Sequence, residues 1–189
     1  AATTAGCGEL YIDNSTLEGH GTGILYSYAF GMLAGNTSTF EVSNSTLTGG
    51  SNAIYIQGNT VDMTLSNDDI AFDGDYLIYA VNPTVPATFY TRANVYINDM
   101  SVEGDIYFDD DTSSPCAVGY TDHYLNVYIG ENASWTGSVV STEHNGGVHI
   151  YRWDSSEQDY VEVDYTLDQE LTVSTISSST GGSIPSGST

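Results

Sequence analysis

The amino-acid sequence predicts an all-β chain folded as a parallel β-helix, or β-solenoid, of about five rungs with a C-terminal hairpin cap. Three observations support this fold class. A short unit recurs along the chain, its copies alternate apolar and polar residues, and no stretch keeps apolar residues at helical spacing for three turns. Internal repetition at a period of roughly 20–50 residues is typical of solenoids and related arrays, so the repeats decide the interpretation.

The repeated unit is clearest in the segments Leu10–Gly19 and Phe40–Gly49. Both open with an apolar-x-apolar pattern, continue with Asn-Ser-Thr-Leu and reach a glycine two residues later. Three weaker copies follow, namely Met63–Ile70, Val95–Gly104 and Val127–Gly137. The copies therefore start 30, 23, 32 and 32 residues apart, which predicts one rung of the solenoid per copy.

A second apolar run follows each copy. The runs begin at Ile24, Ile54, Leu77, Ile106 and Val139. One repeat is thus predicted to be a strand, an Asn/Gly turn, a second strand and a connection of variable length. Alternation places one face of each strand inward. A single repeat cannot bury that face alone, so neighbouring repeats must stack, with parallel strands.

The chain divides into four segments. Its 189 residues are 40% hydrophobic, enough for one sizeable core. Residues 1–9 are predicted to cap the first rung, and residues 10–147 to form the repeats. In residues 148–176, two alternating stretches flank a polar loop, which predicts a hairpin and a last strand that cap the C-terminal end. Residues 177–189 form a Ser/Thr/Gly-rich tail with too little apolar surface to fold alone.

The charge balance argues against a nucleic-acid partner, and the lengths of the apolar runs argue against membrane insertion. The chain has 25 acidic residues, two arginines (Arg92 and Arg152) and no lysine, for a net charge of −23. Such a surface repels nucleic-acid phosphates, so we expect no nucleic-acid partner. No apolar run approaches the roughly 20 residues that span a bilayer, so we expect no membrane insertion. The same acidity also suits a halophilic protein, where it reflects the solvent rather than a ligand.

Sequons and cysteines bear on location and assembly. Four Asn-x-Ser/Thr sequons predict an extracellular glycoprotein, with acceptors at Asn14, Asn36, Asn44 and Asn132. The two cysteines, Cys7 and Cys116, flank four copies of the repeat. An intrachain disulfide, free thiols and a disulfide between subunits all remain open, and the last would produce a head-to-tail polymer.

Clustered carboxylates offer ligands for a hard cation such as Ca²⁺. The candidates are Asp68, Asp69, Asp73, Asp109, Asp110 and Asp111. No EF-hand loop or calcium-binding nonapeptide repeat is present. The closest two of the four histidines are five residues apart, which is not a ligand spacing typical of transition metals.

Fifteen tyrosines are the other unusual feature. Several occupy outward positions of predicted strands, among them Tyr55, Tyr79 and Tyr107. Tyr11, Tyr96 and Tyr128 share one position of their copies, which predicts an aromatic column interrupted at Glu41 and Thr64. Strand propensity alone explains many tyrosines. Amphipathic rings also suit glycan and protein surfaces, so this column is a candidate binding face.

Segments such as FEVSNSTLTGGSNAIYI and GSVVSTEHNGGVHIYRW resemble the secreted right-handed β-helix proteins of the pectin-lyase-like superfamily, in particular its adhesin-like, non-enzymatic surface branch. The resemblance implies an extracellular scaffold. Lyases of the superfamily use a basic residue, for which only Arg92 and Arg152 are present. Its glycosidases pair carboxylates with a later Gly-His-Gly, whereas here Gly19, His20 and Gly21 precede Asp68 and Asp69. We therefore assign no catalytic residue.

The sequence thus predicts a non-catalytic structural or adhesive surface protein that self-associates, in one form as a head-to-tail fibre. A carbohydrate-active β-helix enzyme or a glycan-binding module is the alternative. A flat Thr/Ser ladder that binds ice ranks last because regular Thr-x-Thr repeats are missing.

Overall fold

The computed structural model describes residues 2–5, 8–28, 37–81, 91–109, 123–140 and 147–176. Within these ranges the chain is all-β and contains no helix. The strands are β1 Ala2–Ala5, β2 Gly8–Asp13, β3 Thr16–Gly19, β4 Leu25–Tyr28, β5 Thr37–Ser43, β6 Thr46–Gly49, β7 Asn52–Gln57, β8 Thr60–Ser66, β9 Asp69–Ala71, β10 Tyr76–Val81, β11 Arg92–Asn98, β12 Ser101–Glu103, β13 Asp105–Asp109, β14 Tyr124–Ile129, β15 Ser134–Gly137, β16 Val148–Asp154, β17 Asp159–Glu162 and β18 Leu171–Ser174.

These strands form mostly parallel sheets whose neighbours come from successive repeats. Sheet I has the order β17-β16-β14-β11-β8-β5-β2, and sheet II has the order β1-β4-β7-β10-β13. The short strands form two further sheets, β3-β6-β9 and β12-β15-β18. Each complete repeat therefore contributes one strand to sheet I, one short strand, and one strand to sheet II.

The strand pairing in sheet I follows the sequence alignment of the copies. Leu10 pairs with Phe40, which pairs with Met63. Met63 pairs with Val95, which in turn pairs with Val127. In sheet II, β7 and β10 align Ile54 with Ile78, one residue after the predicted start of that run. The predicted all-β fold with parallel stacked strands is confirmed.

The structure adds strands that the sequence did not predict. Short strands such as Thr46–Gly49 lie where the sequence predicts only a turn, because each presents only one or two inward residues. At the N-terminus, Ala2–Ala5 pairs in parallel with Leu25–Tyr28 and extends sheet II. At the other end, Val148–Asp154 pairs in parallel with β14 as a sixth strand of the series before it turns into the predicted antiparallel hairpin with β17.

The core consists of inward residues stacked from strand to strand. Phe40, Met63, Val95 and Val127 are fully buried, as are Ile54, Ile78 and Ile106 on sheet II. Trp135 is also fully buried, and its indole N–H donates to the Gly104 carbonyl at 2.8 Å. Asn59 is a polar residue inside the stack, and its amide donates to Ser27 Oγ and Ser38 Oγ at 2.8 and 2.9 Å. Each layer thus buries its apolar face against the next one.

The two ends of the stack differ. At the C-terminal end, β17 runs antiparallel to β16, and β18 runs antiparallel to β15. At the N-terminal end, β2 is the edge strand of sheet I, and its inward residues Leu10 and Ile12 are only half-buried. Their partners on β5, Phe40 and Val42, are 0% and 1% exposed. Among the residues that the structure describes, antiparallel strands therefore close the C-terminal end alone.

Candidate functional site

The predicted aromatic column lies on the outer face of sheet I. Tyr96 and Tyr128 pair in register, and their rings stack at 4.5 Å between centroids. Tyr151, on the sixth parallel strand, continues the stack at 4.8 Å. Tyr11 shares the position but is 61% exposed, with Glu41 and Thr64 between it and Tyr96. The structure thus brings together two of the three predicted residues and adds Tyr151, which the sequence assigned to a cap.

The hairpin partly covers this first column. The Tyr160 ring packs edge-on against Tyr128 at 5.0 Å and against Tyr96 at 6.4 Å. Tyr160 also contacts Trp153, its partner across the hairpin, at 5.3 Å. These contacts attach the C-terminal hairpin to the outer face of sheet I, so this column serves packing between elements.

A longer and unbroken column lies on sheet II. Tyr26, Tyr55, Tyr79 and Tyr107 occupy one register position on four successive strands. Their ring centroids are 4.9, 5.5 and 4.6 Å apart along the series. The sequence marked three of these residues as outward but did not align them. The available signal is the Tyr that follows an apolar residue in the first four of the five second runs.

Stacking determines what the sheet II column presents to solvent. The Tyr79 and Tyr107 rings lie 4° from parallel, so their faces cover one another, and their edges and hydroxyl groups point outward from the stack. Burial, followed by the neighbouring tyrosines, raises the pKa of Tyr55. Burial is likewise the largest cause that raises the pKa of Tyr107. The Tyr55 and Tyr107 phenols are therefore neutral at neutral pH, and the rings of the column are spaced like the strands.

Tyr76 departs from this stacking and forms one wall of an open depression. Its ring is tilted by 58° to Tyr79 and by 57° to Tyr107. The depression measures about 430 Å³ and is lined by Thr22, Ser51, Asn52, Tyr55, Gly74, Asp75, Tyr76 and Tyr79. The site combines aromatic edges, hydroxyls, an amide and one carboxylate, and no sequence pattern groups these residues.

The carboxylates predicted to bind Ca²⁺ are not gathered into a cluster in the described residues. Asp68 is 8% exposed, and its carboxylate accepts hydrogen bonds from the backbone N–H of Ser45 and Ser66 at 2.9 and 3.0 Å. Asp69 and Asp73 are exposed. No group of three or more His, Cys, Asp or Glu side chains converges within the described ranges. Asp109 ends β13, and Asp110 and Asp111 lie outside those ranges, so Ca²⁺ binding there stays a prediction.

Three of the four predicted glycosylation acceptors share one turn position. Asn14, Asn44 and Asn132 have positive φ angles of 48°, 53° and 53°. The side-chain amide of Asn44 donates to Asp13 Oδ1 at 2.8 Å, and that of Asn132 donates to Asp99 Oδ1 at 3.0 Å. All three residues are exposed, so modification stays a prediction. Asn36 and both cysteines, Cys7 and Cys116, lie outside the described residues.

The basic residues and the Gly-His-Gly segment do not assemble into a catalytic group within the described ranges. His20 contacts only the Glu18 carboxylate there, at 3.4 Å, and both side chains are well exposed. Arg92 is half-buried on an outward position of sheet I. Arg152 pairs with Ile129, at the end of an otherwise aliphatic column, where its stem covers the core.

Comparisons with known proteins give no further information on these sites. No protein-family model matches the chain, and neither curated proteins nor solved structures give a significant match. In the part of the chain that the structure describes, no helix has the length and apolar character needed to cross a bilayer.

Proposed function

We propose that this chain is a right-handed parallel β-solenoid of about five rungs that acts as a non-catalytic structural or adhesive unit at a cell surface or outside the cell. One observation carries the proposal: a single register runs through successive repeats in both main sheets. In sheet I it links Leu10, Phe40, Met63, Val95 and Val127. The hand follows from the strong preference of parallel crossovers.

Such a register produces a stiff, periodic body. Every repeat contacts mainly its neighbours, and side chains at one position form continuous columns. Asn94 donates to Asp62 at 2.8 Å, and Asn126 donates to Asn94 at 3.0 Å. Polar residues at one strand position therefore form a column, as the tyrosines do. A flat face with repeated chemistry suits attachment to an extended partner or to another copy. It does not by itself concentrate reactive groups at one point.

The extracellular assignment draws on the sequons and on the resemblance to secreted β-helices. The net charge of −23 is consistent with a soluble surface that avoids nucleic acid and anionic lipid. The partners proposed are therefore a second copy of the chain, or a glycan or protein on a cell surface.

Imaging of the natively isolated protein by negative-stain electron microscopy tests the scaffold proposal. We expect fibres, or single small particles where copies do not associate, because six parallel strands spaced about 4.8 Å apart make a stack only about 24 Å long. Loss of fibres on reduction would identify a disulfide through Cys7 and Cys116 as the joint, and loss on addition of EDTA would identify a divalent cation such as Ca²⁺. Single particles at every protein concentration would contradict the fibre, and turnover of any glycan by the purified protein would contradict the non-catalytic assignment.

A glycan-binding module is the second candidate, because the depression beside Tyr76 has the mixed aromatic and polar lining that such a function needs. A carbohydrate-active enzyme would additionally need two carboxylates about 6.5–9.5 Å apart, or about 5–5.5 Å apart, on either side of a bound sugar. Asp75 is the carboxylate that lines this depression.

A further inference from the structure

We infer that the depression between the sheet II tyrosine column and the turn before β10 is a binding site for a neutral saccharide, with a longer glycan chain running along the column. This inference rests on the adhesive function proposed above and names the ligand class. Its walls come from three successive repeats: Thr22 from the first, Ser51 and Tyr55 from the second, and Asp75, Tyr76 and Tyr79 from the third.

The lining matches the two-sided chemistry of a pyranose ring, which carries apolar C–H faces and a rim of hydroxyls. Among the tyrosines of sheet II that the structure describes, Tyr76 is the one whose ring is tilted away from the parallel stack. No ring of the column therefore stacks parallel on the face of Tyr76. Phenol, hydroxyl and carboxylate groups around it supply hydrogen-bond donors and acceptors, as expected for a site that recognises a small polar ligand.

The site is preorganised. Tyr55 is held between Tyr26 and Tyr79 at 4.9 and 5.5 Å. Asn52 is 6% exposed, and its amide donates to the Thr22 carbonyl at 2.6 Å, which fixes the opposite rim. Gly74 approaches the Ser51 carbonyl so closely that any Cβ would collide with it. Groups that are already ordered lose little conformational entropy on binding, so affinity does not have to offset that cost.

The volume of the depression and the charge around it limit the class of ligand that can bind. A volume of about 430 Å³ lies within the range of roughly 300–1,000 Å³ typical of small-molecule sites. The chain has a net charge of −23, and Asp75 lies on the rim, so a uronate or sulfated sugar would be repelled. Because Tyr79 stacks on Tyr107 in the next repeat, the row of phenol edges continues along the sheet past the depression. A chain of uncharged sugars fits these conditions.

The test is isothermal titration calorimetry of the full chain with neutral hexasaccharides (cellohexaose, xylohexaose, mannohexaose and laminarihexaose), with polygalacturonate as the charged comparison. We expect at least one neutral hexasaccharide to bind and polygalacturonate to fail. Tyr76→Ala should weaken the binding at least tenfold, about the effect of removing a central aromatic contact. Tyr124→Ala is the matched control, because it removes a half-buried tyrosine from β14 of sheet I that does not line the depression, and it should leave the affinity unchanged.

Three results would overturn the inference: no binding of any of the four neutral sugars, binding of polygalacturonate as tight as theirs, or equal weakening by Tyr76→Ala and Tyr124→Ala. Far-ultraviolet circular dichroism and an assay for glycan cleavage on the same samples separate this failure from failure of the scaffold proposal. Folded protein that binds no neutral sugar contradicts only the saccharide site. Folded protein that binds a neutral sugar and cleaves it contradicts the non-catalytic scaffold and leaves the site supported.

Discussion

At the scale of single residues, the asparagine turn is the feature that links the repeats most directly. Asn14, Asn44, Asn67, Asp99 and Asn132 all have positive φ, a conformation that Asn and Asp tolerate better than other residues with a Cβ. The turns are also joined to one another. Asn67 donates to Asn44 at 2.8 Å, and Asn44 donates to Asp13 at the same distance. One side chain thus serves both the turn and the stack.

Replacement of Asn44 separates these two roles. Asn44→Ala keeps a Cβ at a φ of 53° and removes the side-chain ladder, so we expect a loss of about 2 kcal/mol in unfolding free energy. Asn44→Gly removes the ladder but relieves the backbone, and it should lose about 1 kcal/mol less. Urea unfolding followed by circular dichroism measures both. Equal losses would mean that the backbone conformation contributes nothing.

Asp68 predicts a pH dependence. Burial raises the pKa of its carboxyl above 3.8, and this outweighs the two backbone N–H groups that lower it. Because the pKa of Asp68 is higher in the folded state, the folded protein binds more protons than the unfolded chain at pH values between the two pKa values of this carboxyl. The contribution of Asp68 to stability is therefore fully present below pH 3.8 and declines as the pH rises through the raised pKa.

The variant Asp68→Asn cannot titrate and so isolates this contribution. We expect the unfolding free energy of the parent chain, minus that of the variant, to be greatest in acid and to fall as the pH rises. Urea unfolding at a series of pH values measures this difference, and effects of the other carboxylates cancel in it. A difference that instead grows with pH would show that the two N–H groups outweigh burial.

At the scale of elements, the sequence predicted the sheet I strands best. Apolar residues alternate across five copies, and the Asn-Ser-Thr-Leu shared by the first two copies aligns these with each other, so the register from Leu10 to Val127 could be read in advance. The short strands could not, because a segment such as Asp69–Ala71 is too short to show a period of two. Val148–Asp154 lacks the asparagine turn that marks the other copies, so the sequence does not align it with the parallel strands.

The candidate site was harder to predict than the fold. It combines Thr22, Ser51 and Asp75, which lie in connections of different length, and their proximity depends on how each loop returns to sheet II. The tilt of Tyr76 coincides with a register irregularity between Tyr76 and Ile78 where β10 pairs with β13. An irregularity of this kind leaves no mark in an apolar-polar pattern.

The sheet II column is expected to stabilise the stack as a set of aromatic pairs. Tyr79 stacks on Tyr55 at 5.5 Å and on Tyr107 at 4.6 Å, and each such pair contributes roughly 0.5–1.5 kcal/mol beyond area burial. Tyr79→Ala should therefore lower the unfolding free energy by about 2 kcal/mol or more. Tyr79→Phe keeps the rings and should lose less than about 0.5 kcal/mol. Thermal and urea unfolding compare the two, and equal losses would assign the effect to the hydroxyl instead.

At the scale of the whole molecule, the two ends determine how copies can meet. At the C-terminal end, the parallel series finishes in antiparallel strands, and the turn of the hairpin carries exposed polar residues. At the N-terminal end, β2 is an edge strand above half-buried apolar residues, and Glu9, Asp13 and Glu18 lie on it and on the neighbouring β3. Charged side chains on an edge strand are a common protection against unwanted pairing. Self-association should therefore begin at the N-terminal edge and be limited by its charge.

Neutralising that edge tests this expectation. The double variant Glu9→Gln with Glu18→Gln should cause concentration-dependent association in low salt, because it removes like charges from the two edges that meet. The parent chain should show the same association as added salt screens its charges. Glu157→Gln with Glu170→Gln is the matched control: it removes the same charge from exposed positions near the C-terminal end. Sedimentation velocity measures the association state of each variant. Association of the control to the same degree would assign the effect to net charge alone, and association of neither variant would mean that β2 does not serve as an edge for a second copy.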